Sequence, residues 1–221
     1  MRFLPTSAVV ASLVCSAAWL GAVEARSVSG DRVLVLVPRV EAAKTYSQFL
    51  ASLTSRGFDV SVRAAHNASV VLQVDGVRAY DHTVVLSPES SKLGADLSTD
   101  DFVDFVNDGG NLIVAASSEM SKPCRSLAAR FGIVYEERGT AVIDHASHLR
   151  VTNGTSDHAL VAASPSLTAA PVLSKQSGPV YFKGIAHKYE SNNPLLIPVL
   201  TGSRTTYSAA VGDNAKKSTP A

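Results

Sequence analysis

The chain has 221 residues, 46% of them hydrophobic, and a formal net charge of +1. That length and apolar content suit a globular protein with its own core. The near-neutral balance, with no basic cluster interleaved with aromatics, argues against a nucleic-acid partner.

In chain order, the first feature is a secretory signal. Arg2 precedes the apolar run Ala8 to Val23, and Val23-Glu24-Ala25 places a small residue where cleavage after Ala25 is expected. The run is short for a membrane span of about 20 residues. Later, Leu195 to Leu200 is the most apolar stretch, and Pro198 interrupts it. The chain as given is therefore expected to be soluble in the secretory lumen. Asn67-Ala68-Ser69 and Asn153-Gly154-Thr155 are N-glycosylation sequons that fit this route, which makes Asn67 and Asn153 candidate sites. Cys15 lies within the signal, which leaves Cys124 alone in the mature chain, so an internal disulfide is not expected.

Arg32 to Val37 reads R-V-L-V-L-V, a strand buried on both faces, as in a parallel sheet covered by helices. Ala43, Tyr46, Phe49 or Leu50, and Leu53 recur at helical spacing, and Arg56-Gly57 closes that helix. Strands are predicted over Phe58 to Ala64, Val70 to Val74 (followed by the turn Asp75-Gly76) and Thr83 to Leu86. Glu89 to Leu97 is a loop. Ser98 or Thr99 caps the next helix, and Asp100 and Asp101 suit its N-terminal dipole. Phe102, Val103, Phe105 and Val106 form that helix's core face. Asp108-Gly109-Gly110 ends it. Leu112 to Ala116 is a buried strand. Pro123 suits a first helical turn, and Leu127, Ala128 and Phe131 carry the third helix to Gly132.

This alternation predicts an α/β fold with a doubly wound, mainly parallel sheet of flavodoxin-like or amidotransferase-like type. Ala141 to Ile143 is a further short strand. Beyond it Pro and Gly become frequent, and Leu149 to Val151, Val180 to Phe182 and Tyr207 to Val211 read as short strands. The resulting division is a signal peptide over 1–25, an α/β domain over 26–145, an irregular β-rich extension or partial second domain over 146–210, and a polar, disordered tail over 211–221.

Catalytic chemistry is hard to find. Ser117 and Ser118 follow a strand and precede a helix, but Ala115, Ala116 and Glu119 around them do not make a nucleophile elbow. Cys124, in S-K-P-C-R-S, also lacks the glycines of an elbow. A small, inert residue in the first turn of a helix is the simpler expectation, although the helix N-terminus and Arg125 are placed to lower its pKa. Asp144, His145 and His148, with Asp157-His158 further on, contain metal-ligand residue types but no obvious complete set. A hydrogen-bonded Asp144–His145 pair that fixes the loop after its strand is the simpler expectation. Gly109-Gly110 follows a helix and precedes a strand, the reverse of a phosphate-binding loop. No cofactor, metal or catalytic residue is assigned. A lumenal hydrolase using Cys124 with Asp144 and His145 is the enzymatic alternative. A binding module at the strand C-termini, near Ser87 to Ser91 and Ser117 to Ser121, ranks behind it for want of an aromatic platform.

Five stretches taken in order carry a resemblance. They are Arg32 to Val37, Ser47 to Val60, Asp108 to Ser118 (D-G-G-N-L-I-V-A-A-S-S), Thr140 to His145 (T-A-V-I-D-H) and Asn193 to Ser203 (N-P-L-L-I-P-V-L-T-G-S). Together they resemble the 48-kilodalton subunit family of oligosaccharyltransferase, from about Asp31 to Tyr207. The resemblance implies an accessory, non-catalytic subunit on the lumenal side of the endoplasmic reticulum membrane. The complex it serves transfers a preassembled oligosaccharide from dolichyl diphosphate to Asn in Asn-X-Ser/Thr. The partners implied are the other subunits, with no small-molecule substrate of its own. Members of the family are about twice as long and end in a transmembrane helix. The expectation here is a truncated form that reaches the membrane through partners only.

Overall fold

The computed structural model describes residues 27–67, 69–150, 156–163, 179–190 and 192–210. The signal segment, the cleavage position after Ala25, Asn153, Val151, Val211 and the 212–221 tail lie outside them.

Strand β1 (Arg32–Val37) leads through a 3₁₀ helix (Val40–Tyr46) into α1 (Ser47–Ser55) and then β2 (Asp59–Ala64). A small hairpin follows, β3 (Gln73–Val74) and β4 (Val77–Arg78), and then β5 (His82–Val85). Helix α2 (Thr99–Asn107), β6 (Asn111–Val114) and α3 (Lys122–Arg130) complete the α/β alternation. Seven short strands come next: β7 (Ile133–Tyr135), β8 (Thr140–Ile143), β9 (His148–Arg150), β10 (Ser156–Ala163), β11 (Val180–Phe182), β12 (His187–Tyr189) and β13 (Tyr207–Ala210).

The centre is a four-stranded parallel sheet in the order β2-β1-β5-β6. β1 is buried from Val33 to Val37, which explains its unbroken apolar sequence: one set of side chains faces each layer. Val33, Val35 and Val37, with Val84 and Leu86, meet Tyr46, Leu50 and Leu53 of the first helical segment. Leu34, Leu36 and Val85 meet Phe102 and Phe105 of α2 and Cys124 and Leu127 of α3. Each of these aliphatic and aromatic side chains contributes roughly 1.5–3 kcal/mol by leaving water. The molecule is a mixed α/β protein with helices on both faces of its parallel sheet.

Three sequence expectations change in detail, the first being the strand predicted over Val70 to Val74, which is only the two-residue β3 (Gln73–Val74). The first helical segment begins as 3₁₀ and contains no fully buried residue, and Leu50 faces the sheet while Phe49 is exposed. The strand expected over Leu112 to Ala116 is Asn111–Val114 and sits at the sheet edge. There it alternates, with Leu112 and Val114 packed inward and Ile113 exposed, because among the described residues no helix covers its second face. The Asp75-Gly76 turn lies between β3 and β4 with both residues at positive φ, 51° and 76°, as the tightest hairpins require.

β9, β10 and β11 form a three-stranded antiparallel sheet in the order β11-β10-β9. β12 returns to pair with β7, and β13 with β8, both antiparallel. Strands after residue 146 are thus hydrogen-bonded to strands that close the α/β part. Among the described residues no helix is long and apolar enough to cross a membrane.

Candidate functional site

Two places deserve consideration as a site: the crevice at the C-terminal ends of the parallel strands, and the end of β8. In an open α/β sheet the crevice is where ligands bind. Here Ser117 Oγ lies 3.4 Å from Glu89 Oε1, and the Ser118 carbonyl accepts from the Gly139 N–H at 2.7 Å. Neither serine is activated by an imidazole. Cys124 is fully buried among Leu34, Phe102, Phe105 and Leu127, with its thiol 3.8 Å from the Ser87 carbonyl oxygen. Burial pushes its pKa up, against the opposing pull of Ser121. The helix terminus expected to favour the thiolate is outweighed by the apolar surroundings, so Cys124 is an inert core residue. Asp144 and His145 make their contacts elsewhere, with Ser203 to Tyr207 and His158. The hydrolase constellation is therefore not assembled.

Asn67, at the loop after β2, has its side-chain oxygen taken by its own sequon. Oδ1 accepts from the Ser69 N–H at 2.9 Å and from Ser69 Oγ at 2.7 Å.

The end of β8 holds the most elaborate polar cluster. Asp144 is fully buried. Its carboxylate accepts from Ser203 Oγ at 2.6 Å, Thr206 Oγ1 at 2.9 Å and Thr205 Oγ1 at 3.0 Å. The Ala146 and Ser147 N–H groups donate to Oδ1 at 2.8 and 2.9 Å. Burial alone would raise the Asp144 pKa. The donors from Ser203, Ser147, Ala146 and Thr206 outweigh it and hold the carboxyl well below the usual carboxylate range. The Asp144–His145 pair expected from the sequence does not form. The two side chains take different partners, because the chain turns just past the end of β8 and the Asp144 carboxylate folds back onto the Ala146 and Ser147 N–H groups. His145 Nε2 lies 2.8 Å from Tyr207 Oη, and its ring is 4.5 Å from that of His158, which in turn is 4.2 Å from that of His148. Asp157 is bridged instead to Lys183 at 2.8 Å. The described residues include no group of three or more His, Cys, Asp or Glu placed to hold a metal ion.

Beside Asp144 opens a cavity of about 540 Å³. Ile133, Val142, Val161, Phe182, Ile185 and Leu196 supply its apolar walls, and Asp144, Ser203 and Thr206 its polar edge. In the sequence, Asn193 to Ser203 stands out as a family motif and Leu195 to Leu200 as the most apolar late stretch, and neither signals a cavity. The hydroxyl run around Ser203 to Thr206 was the available signal, but its partner lies about 60 residues away in the chain.

At the opposite, N-terminal edge of the parallel sheet, Arg32 grips Asp81 through its backbone N–H (3.1 Å), Nε (3.0 Å) and Nη2 (2.9 Å). These bonds lower the Asp81 pKa to about 2. Gly30, at φ 117°, packs so closely that an added Cβ would lie 2.3 Å from that carboxylate. This is a structural clasp between β1 and β5, and nothing local in the sequence announces it.

The profile of the OST48 N-terminal domain family matches residues 24–220, running past Tyr207, where the recognisable motifs stop. The chain belongs to this family. Among curated OST48 relatives, the dolichyl-diphosphooligosaccharide–protein glycosyltransferase 48 kDa subunit of Danio rerio is 36% identical over 187 residues, covering 83% of this chain and 42% of the relative. The subunit of the same name from Arabidopsis thaliana is 34% identical, covering 80% of this chain and 41% of its own length. That from Caenorhabditis elegans is 35% identical with the same coverage. The chain thus spans less than half the length of the OST48 relatives it matches.

Proposed function

We propose that this chain is an accessory, non-catalytic subunit of the oligosaccharyltransferase complex, which performs protein N-glycosylation. In this reading it stands on the lumenal side of the endoplasmic reticulum membrane and holds other subunits together. The observation that carries the proposal is the 34–36% identity to the 48 kDa subunits over four-fifths of the chain. The chemistry of the crevice supports it: the thiol is buried with a raised pKa, and the serines have no imidazole beside them, only a long 3.4 Å contact from Ser117 to Glu89. A flavodoxin-like or amidotransferase-like ancestry fits a parallel sheet in which the second strand precedes the first and the later two follow on the other side. The α/β part up to residue 145 and the β-rich part after it act in this proposal as one scaffold, joined by the β7–β12 and β8–β13 ladders. Cleavage after Ala25 delivers the chain to the lumen, and partners tie it to the membrane.

Affinity purification of tagged chain from mild-detergent microsomal extracts tests the reading. Recovery of the catalytic oligosaccharyltransferase subunit is expected. A stable, signal-cleaved protein that recovers no subunit of the complex would refute it. The proposal also makes Asn67 and Asn153 acceptors. A mobility shift removed by peptide N-glycosidase and diminished in Asn67→Gln and Asn153→Gln is expected, and an unshifted parent protein would exclude both sites.

A further inference from the structure

The cavity beside Asp144 is apolar, open and bordered by large side chains in contact with water. Leu195 is 86% exposed, and Ile197, which lines the cavity, is 61% exposed. Covering such a side chain is favourable by roughly 1.5–3 kcal/mol, so neighbouring exposed aliphatics at the mouth of an apolar cavity mark a contact surface. Its one buried charge asks for nothing: the Asp144 carboxylate already accepts from three hydroxyls and two backbone N–H groups. A cationic or strongly polar occupant would find no free partner there, whereas an apolar one loses nothing. β12 runs along the rim, with His187 and Tyr189 lining the cavity. It is exposed along its whole length and, among the described residues, is paired only to β7. That leaves one edge able to accept an extended strand.

The relatives carry polypeptide well beyond the matched region. The matched region is the family's N-terminal domain, and it amounts to 41–42% of each relative, so more polypeptide lies outside it than within it. We propose that the cavity seats an extended apolar segment from the polypeptide that follows this domain in full-length members. The segment lies against the free edge of β12 and sets alternate side chains between Ile197 and Phe182. This inference rests on family membership and not on the accessory-subunit reading.

The test uses labelled strand-length peptides that tile the Danio rerio subunit beyond its matched region. Their binding to this whole chain is read by fluorescence anisotropy. At least one peptide is expected to bind. Its affinity should fall at least about tenfold in Ile197→Asp and in Tyr189→Ser, and stay unchanged in Val77→Asp at the distant hairpin. Two altered rim positions guard against a single misfolded variant, and circular dichroism melts verify each fold. Absence of any binding peptide would overturn the proposal, as would binding indifferent to both rim substitutions. A parent chain that elutes as a dimer and becomes a monomer in Ile197→Asp would also overturn it, with a second copy as the occupant. None of these outcomes depends on recovery of a complex from microsomes.

Discussion

Asp144 shows how a single residue can be both charged and buried. An ionised carboxylate out of water is costly unless donors replace its hydration, and here three hydroxyls and two amides do so. The bonds tie the 144–147 turn to the 203–206 loop, so the residue acts as a fastener at the floor of the cavity. Asp144→Ala is expected to cost about 3 kcal/mol in urea denaturation at neutral pH, since it removes the charge-assisted hydrogen bonds that tie the turn to the 203–206 loop. The pH dependence follows from the lowered pKa. The unfolded chain takes up the proton more readily than the folded one, so the Asp144 contribution is complete well above the ordinary carboxylate value of about 3.9 and is lost as pH falls below it. The gap between parent and variant should therefore narrow in acid. The sequence marked Asp144 as the polar end of a strand. It offered no route to Ser203, because that contact depends on how β13 returns beside β8.

Elements whose rules are local follow the sequence closely. α2 is expected from its start signal, and the structure resolves the choice between Ser98 and Thr99. Ser98 is the cap: its hydroxyl accepts from the Asp101 N–H, while Asp101 accepts from the Ser98 N–H at 2.7 Å. Ser98→Ala should lower stability by about 1 kcal/mol in the same denaturation experiment. The β9–β10 ladder is a different case. It brings His148 and His158 together, and His145 packs on His158 from the β8 end. Desolvation, then the nearby His148 and His145, lower the His158 pKa, with Asp157 opposing. A histidine with a lowered folded pKa supports stability that is full above the unfolded value of about 6.5 and declines as pH falls below it. Melting temperature is thus expected to drop from pH 7.5 to pH 5.5, and the drop should be smaller in His158→Gln. An equal drop in both proteins would remove His158 as the cause.

At the scale of the whole molecule, the parallel sheet and its two helical layers form a frame on which a looser set of antiparallel ladders is hung. The scaffold role proposed above suits that arrangement, because the crevice is chemically plain while the β-rich side carries the open apolar cavity. By itself the sequence determined the α/β frame. An unbroken R-V-L-V-L-V can only be covered on both faces, and caps, glycine stops and helical periodicity act within a few residues of one another. It also determined the family, through five motifs that are specific when taken together and in order. Only the tertiary structure decided that Cys124 is buried among apolar side chains, that Asp144 and His145 part company, and that Asp144, Ser203 and the cavity share one place. The reason is physical. Burial and strand pairing depend on residues tens of positions apart, and short strands of three or four residues carry too little pattern to announce their partners.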